Sequence, residues 1–290
     1  MPLNLITPPS CLPLSVADVR QHLRQDITDD DNLISVYLGA AVEFAQMRTQ
    51  RQFVCARWQY VLDAFPGPAL VGVPYGEAFS MPDYAIRLPK SPLIDVVSIQ
   101  YTGMDGNVYT MAATDYKVDF YCDPPRITPV FGKIWPVTLP QIGAVKVTFD
   151  AGYIAPIVAN ALADTVTVSG WAALSVGDTV RFSNSGGALP SGLLAKTDYA
   201  VASVPSAGVY TLTANSMAVN MTDGGSGLSF MGQTNLNGSG GELPDGIKSW
   251  LLARCDSHYS YRGEVVNSRG NITPLPFIDY LLDTYRVVTY

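Results

Sequence analysis

Few side chains in this sequence are arranged as chemistry requires. There are two histidines, His22 and His258. Neither stands in an H-E-x-x-H, H-x-H or G-x-S-x-G context, so neither a zinc-activated water nor a nucleophilic serine has an anchor. Both fit a packed position or a helix surface. Asp29, Asp30 and Asp31 offer three carboxylates. Consecutive residues point in different directions, however, and acids at a helix start suit its positive end, so they read as capping rather than as metal ligands. Cys11, Cys55, Cys122 and Cys255 lack the C-x-x-C spacing of a zinc or redox site and read as reduced, packed thiols. The glycine runs Gly224–Gly227 and Gly238–Gly241 are not followed by the Lys-Ser/Thr of a phosphate loop and read as a turn and a linker. No cofactor and no metal is implied, and the chain is expected not to be an enzyme. Catalytic groups converging from distant segments would leave no motif, which keeps an enzyme as a third reading.

Composition bounds the setting. Hydrophobic residues make up 48% and charged residues 15%, enough to build a sizeable core and too apolar for a disordered chain. No stretch reaches the ~20 apolar residues of a membrane helix, and Met1–Ser10 lacks the basic start and apolar run of a secretion signal. A cytoplasmic setting without a membrane is expected. The net charge of −7 disfavours tight binding to nucleic acid. An acidic wall past which DNA slides is compatible with it.

These residues must be positioned by elements of two kinds. Ser15 can cap a short helix running to Arg24, with Asp18 in its first turn. After Asp31, apolar residues recur at three- and four-residue spacing through Leu33, Ile34, Tyr37, Leu38, Ala41, Val42 and Ala45, which predicts a longer helix with a buried face. Strand-like runs follow at Phe53–Phe65, Ile86–Leu88, Val96–Tyr101, Tyr116–Val118 and Ala144–Phe149, a small antiparallel region. From Ala155 to Glu242 the composition shifts to seven charged residues and many Gly, Ser, Thr and Val, alternating between turn signals as in a small sandwich or barrel. Helical periodicity returns after Pro244 through Ile247, Trp250, Leu251, Arg254, Cys255, His258 and Tyr259. With no helix beside it in sequence, this element is expected to pack back on the two N-terminal helices. A short amphipathic helix follows over Phe277–Tyr285.

The expected architecture is therefore α+β: a helical body with N- and C-terminal helices packed together and an antiparallel β region, residues 1–154 plus 243–290, into which an all-β sandwich-like or barrel-like domain, 155–242, is inserted. In that domain Trp171 is either a buried sandwich tryptophan or an exposed ring for a glycan.

The body resembles the head-tail connector, or adaptor, family of tailed bacteriophages. The likeness is carried by Ile6-Thr-Pro-Pro9, Pro13-Leu-Ser15, the helix from Asp30 ending in the Thr49-x-Arg51 step, and Trp58-Gln-Tyr-Val-Leu-Asp-Ala-Phe-Pro66. It continues through Ile86-Arg-Leu-Pro89, Ser91-Pro-Leu93, Pro125-Arg-Ile127, Trp135-Pro136 and Val145-Lys-Val-Thr-Phe-Asp-Ala-Gly-Tyr153. It covers roughly residues 5–153 and 243–288. In the family the Ala-Gly-Tyr step leads within a few residues to Leu-Pro and a helix; here Tyr153 and Leu243-Pro244 are separated by the β-rich segment.

The resemblance implies a structural protein of the virion neck, assembled in the host cytoplasm. It implies a homo-oligomeric ring, expected in twelve copies, beneath the portal protein ring, joined below to tail-side neck or tail-completion proteins. DNA would pass through its channel without sequence-specific binding. The terminal segment with Tyr285, Arg286, Val287, Val288 and Tyr290 would dock on the portal. Arg48, Arg51, Arg254 and Arg262 would line the channel or reach acids of a neighbouring copy, although each also lies near a helix end that suits a cation. The alternative is a host-surface or carbohydrate-binding module acting through the inserted domain.

Overall fold

A computed structural model describes residues 3–67, 84–168, 174–234, 241–260 and 276–287, with backbone only over 276–279. The chain enters through strand β1 (Leu3–Thr7) and helix α1 (Val16–Leu23). Ser15 caps α1 as its sequence demands: its Oγ accepts the Asp18 N–H at 3.1 Å. Helix α2 (Asp31–Thr49) buries Ile34, Leu38, Ala41, Val42 and Ala45, the stripe expected from their spacing. Arg20 of α1 pairs with Asp31 at 3.0 Å and ties the two helices together.

Eight strands then build the middle of the chain: β2 (Ala56–Leu62), β3 (Ile86–Arg87), β4 (Leu93–Thr102), β5 (Val108–Thr110), β6 (Tyr116–Asp119), β7 (Arg126–Pro129), β8 (Val145–Ala151) and β9 (Ala155–Asn160). One antiparallel sheet has the order β1-β2-β8-β4-β5, and a smaller one the order β3-β7-β6. Among the described residues, the core around Leu93, Val96, Ile99, Ile127, Val145, Val147 and Phe149 contains no residue of the α-helices.

The body is therefore not helical, which corrects the expected fold class. Among the described residues four helices stand against three sheets, and the body itself rests on two of those sheets. The physical reason is that the apolar faces of the strands are satisfied by other strands and loops, so the helices cover one end of the sheet and do not form the frame. The short strands β5 and β7, with three and four residues, have no periodicity to show it.

The remaining strands are β10 (Thr165–Val168), β11 (Thr179–Ser185), β12 (Tyr199–Ser206), β13 (Val209–Ala214), β14 (Met217–Ala218) and β15 (Leu228–Gln233). They join β9 in the order β10-β9-β15-β11-β12-β13-β14, and a further pairing of β10 with β13 closes the sheet into a barrel. Alternate residues Val180 and Phe182 on β11 and Tyr210 and Leu212 on β13 point inward. Cys55 and Ile94, from outside the barrel strands, complete the same core, while Phe230 of β15 faces the helices. Helix α3 (Asp245–Ser260) packs on α1 and α2, and α4 (Pro276–Asp283) on α2 and α3.

Two polar contacts fix how these layers meet. The first turn of α1 docks on the end of β11: Ser15 N–H donates to Ser185 Oγ at 2.7 Å, Ser185 Oγ donates to the Asp18 carboxylate, and Gly186 N–H donates to Asp18 at 3.0 Å. Gly186 has φ +75°, and a Cβ there would lie 2.2 Å from Ser15 Oγ. In the five-stranded sheet, Arg57 grips the buried Asp150 of the next strand by two bonds of 2.8 Å, and Asp95 stands opposite Asp150 on the other side. Burial pushes the Asp95 carboxyl above the usual aspartate range; the bond from Val96 N–H opposes this, Asp150 adds to it and Arg57 pulls it back.

Two outcomes follow. Because the fold disfavours charged Asp95, the penalty is complete above its raised value and vanishes as the pH falls to the ordinary value of 3.8. Asp95→Asn is expected to raise Tm at pH 7 and to lose that advantage on acidification, read from melts across the acid range; a lower Tm at pH 7 would contradict the assignment. Gly186→Ala is expected to cost at least about 1 kcal/mol through its left-handed backbone alone. Amide exchange should accelerate first at Ser185 and the start of α1, and uniform acceleration would show that the seam is not a local unit.

Candidate functional site

The end of α2 is where the functional candidates meet. Arg48 lies in the last turn, where a cation suits the helix dipole, and the buried Thr49 hydroxyl donates to Ala45 O at 2.7 Å. Gln50 then takes a left-handed conformation, φ 57°, and turns the chain so that Arg51 points inward. Its side chain is 11% exposed. It donates to the Tyr285 carbonyl, pairs with Asp123, donates to Ser91 Oγ at 3.3 Å, and lies 5.9 Å from the centre of the Tyr153 ring. Burial pushes the Tyr153 hydroxyl up to about 12, with Arg51 pulling the other way.

The C-terminal segment closes on this corner. Asp283 accepts from Arg48 at 3.2 and 3.0 Å, Leu282 is buried among the helices, and Val287 N–H donates to Thr49 O at 3.0 Å. Tyr285 lies against the first turn of α3, where a Cβ on Gly246 would come within 2.8 Å of its hydroxyl. The arrangement is a clasp: Arg48 in the last turn of α2 and Arg51 just beyond it hold the end of α4 and the chain that follows.

Two groups of residues that the sequence suggested for different tasks thus prove to be one unit. Arg48 and Arg51 reach Asp283 and Tyr285 of the same chain. Arg254 does not join them; it lies on the outer face of α3 with its guanidinium 5.9 Å from the Phe44 ring centre. Arg262, Val288, Tyr290, Trp171 and residues 235–240 lie outside the described residues. Ser91 and Tyr153 stood out only within the motifs of the resemblance, and Asp123 and Asp283 had no signal in sequence; the four come from distant segments, so nothing in their spacing joins them to Arg51. His22 is exposed on α1 and His258 stacks on Tyr37 at 5.6 Å. Among the described residues no three His, Cys, Asp or Glu side chains converge as metal ligands would, and no helix is long and apolar enough to cross a membrane.

Beside the clasp runs a groove of about 940 Å³. Phe44, Met47, Tyr60, Leu62 and Val287 line it, and Arg48, Arg87 and Arg286 stand around it. A second hollow, about 610 Å³, opens at the loop after β7. That loop is anchored by Trp135, which stacks on Phe65 at 4.8 Å and donates from Nε1 to Tyr84 O at 2.6 Å. Around this anchor Phe131, Ile134, Val137 and Ile142 are all exposed. The loop thus holds a buried tryptophan while it presents large apolar side chains to solvent.

No family model and no curated protein matches the sequence. Among solved structures, a chain from "Virion of native gene transfer agent (GTA) particle" is similar with a TM-score of 0.54 at 16% identity. Chains from "Neck of empty GTA particle computed with C6 symmetry" and "Neck of native GTA particle computed with C12 symmetry" have TM-scores of 0.52 and 0.51, each at 16% identity. Every one of these matches covers 100% of this chain and 97% of the other. At this identity they establish a shared fold over the whole chain.

Arg51→Ala is expected to cost about 2 to 3 kcal/mol, because Asp123 and the Tyr285 carbonyl lose a largely buried charged partner together. Arg48→Ala, at an exposed pair, should cost under about 1 kcal/mol. Limited trypsin digestion followed by mass spectrometry should show faster cleavage after Arg286 in the Arg51 variant. A variant that melts with the wild type and resists cleavage there would remove Arg51 from the clasp.

Proposed function

We propose that the chain is a structural component of the neck of a phage-like particle, where identical copies form a ring beneath the portal and continue the DNA channel towards the tail. The observation that carries this reading is the fold shared along the full chain with proteins of gene transfer agent virions and necks. The C12 symmetry of one of those necks supports a ring of twelve copies. The exposed apolar loop around Trp135 supports burial against further protein, since a free monomer gains nothing from displaying Phe131 and Ile142 to water.

The role is one of geometry and adhesion rather than catalysis. The net charge of −7 suits a wall past which DNA moves without sticking. The clasp holds the described C-terminal segment as far as Val287 against the body; in this reading the terminal segment meets the portal and tail-side neck proteins take the opposite end of the ring.

Electron microscopy of the purified full chain incubated with the portal ring of the same phage is the test. The expected result is an added layer coaxial with the portal channel. Two well-folded components that fail to associate would overturn the neck reading.

A further inference from the structure

Helix α2 is apolar on both of its faces. Ile34, Leu38, Ala41, Val42 and Ala45 are buried, yet the opposite face carries Val36 at 67% and Met47 at 62% exposure, with the exposed Ala40 between them. Of the three charged residues in the helix, Asp31 and Arg48 are tied to Arg20 and Asp283 at its two ends. Glu43 alone stands on the outer face. A surface helix ordinarily turns charged and polar residues outward, and one that is apolar all round is built to be covered all round.

Gly39 is a second sign of a missing partner. Glycine is the poorest helix former after proline, and inside a helix it calls for a packing reason. The subunit supplies none: among the described residues nothing lies within 4 Å of the place its Cβ would take. Bare backbone at that point admits close approach by something outside the subunit.

Symmetry restricts what that is. Like against like makes a closed two-fold pair, so in a ring generated by one rotation the outer face of α2 must meet a different surface of the next copy. Phe131, Ile134 and Val137 offer one. They are 107%, 81% and 73% exposed and line a single hollow together with Trp135, so they form a continuous apolar surface. Trp135 belongs to the core of the sheet and α2 to the core of the helices, which makes the two surfaces distinct. Three such side chains present on the order of 450 Å² of apolar area. That is the apolar share of an interface burying ~800 Å² per partner. Lys133 in the loop already pairs with Asp115 at 3.6 Å, so the contact is one of packing and not of charge. We infer that the Phe131–Val137 loop of one copy packs on the outer face of α2 in the next, with the Phe131 ring against the bare backbone at Gly39. The inference rests on the ring reading above and supplies a subunit contact for it.

Two substitutions separate assembly from folding. Gly39→Leu adds a good helix former in open space and is expected to leave Tm at or above the wild-type value. Phe131→Ser changes a fully exposed side chain and should leave Tm unaltered. Each is nevertheless expected to need at least about tenfold more protein to form a layer on the portal ring, followed by mass photometry and electron microscopy. Cross-linking then identifies the surfaces that meet. Ala40→Cys and Ile134→Cys are made separately in the full chain with Cys11→Ser and Cys122→Ser, which removes the two partly exposed native thiols. After assembly on the portal and treatment with a short bismaleimide, dimers are expected from the mixture of the two variants and from neither alone.

A layer in which the mixture gives no dimer, or in which Gly39→Leu and Phe131→Ser both assemble as the wild type does, refutes this contact and leaves the neck reading standing. Dimers from Ala40→Cys alone would mean that α2 meets α2, which also refutes it. A wild-type chain that forms no layer on the portal overturns the neck reading and this contact together.

Discussion

Arg51 has to satisfy groups from four distant segments at once. Its neighbours are the carbonyl after α4, the Asp123 carboxylate between β6 and β7, the Ser91 hydroxyl ahead of β4, and the face of Tyr153 between β8 and the barrel. A planar guanidinium has five N–H donors in a fixed fork, so it can bind an acid, a carbonyl and a hydroxyl in different directions and still lie against a ring. A lysine ammonium could match the charge but not that division of directions. The backbone reinforces the node, since Gln52 N–H donates to Ser91 O at 2.9 Å and Tyr153 N–H to Phe53 O at 3.0 Å. Helices, sheet, barrel and C-terminal segment are thereby referred to one point.

The barrel is bound into the body in the same manner. Although its strands follow one another from β9 to β15, its core takes in Cys55 and Ile94, and its Phe230 is buried among the helices. An apolar core shared across a boundary resists relative motion, because sliding would open cavities in both partners. The Ser15, Asp18, Ser185 and Gly186 contacts add direction to this packing: they permit one orientation of α1 against β11. The barrel is packed into the body and not tethered beside it.

The parts that could be read from sequence are those governed by local rules. Ser15 is a cap because a hydroxyl before a helix has free N–H groups to satisfy, and the buried face of α2 follows from spacing alone. The alternation of β11 and β13 was equally plain. Strand β9 was not, because Pro156 argues against a strand when no partner is known. Only its pairing with β10 and β15 makes that segment extended. The expected helical body failed for a related reason: helical stripes are conspicuous over 19 residues, whereas a core assembled from Ile86, Ile99, Ile127 and Trp135 has no period. The clasp was half visible. Arg48, Arg51 and Tyr285 could each be singled out, but a contact between residues 234 positions apart leaves no trace in spacing.

The proposed neck ring would need subunits that keep their angles, since an error in one would accumulate around the circle. The clasp and the seam meet that need by different physics. The clasp uses charge in a half-buried setting, where Arg51 and Asp123 are little screened by salt. The seam uses backbone geometry, with Gly186 in a conformation and at an approach that a side chain would obstruct. Both act within the subunit, which leaves the surface free to carry weaker contacts between copies. Such contacts gain from repetition: once one interface has formed, the next forms at a high effective concentration, so each needs only modest affinity. A rigid subunit with modest interfaces can correct a misplaced neighbour by releasing it, whereas strong interfaces on a pliable subunit would trap rings of the wrong curvature.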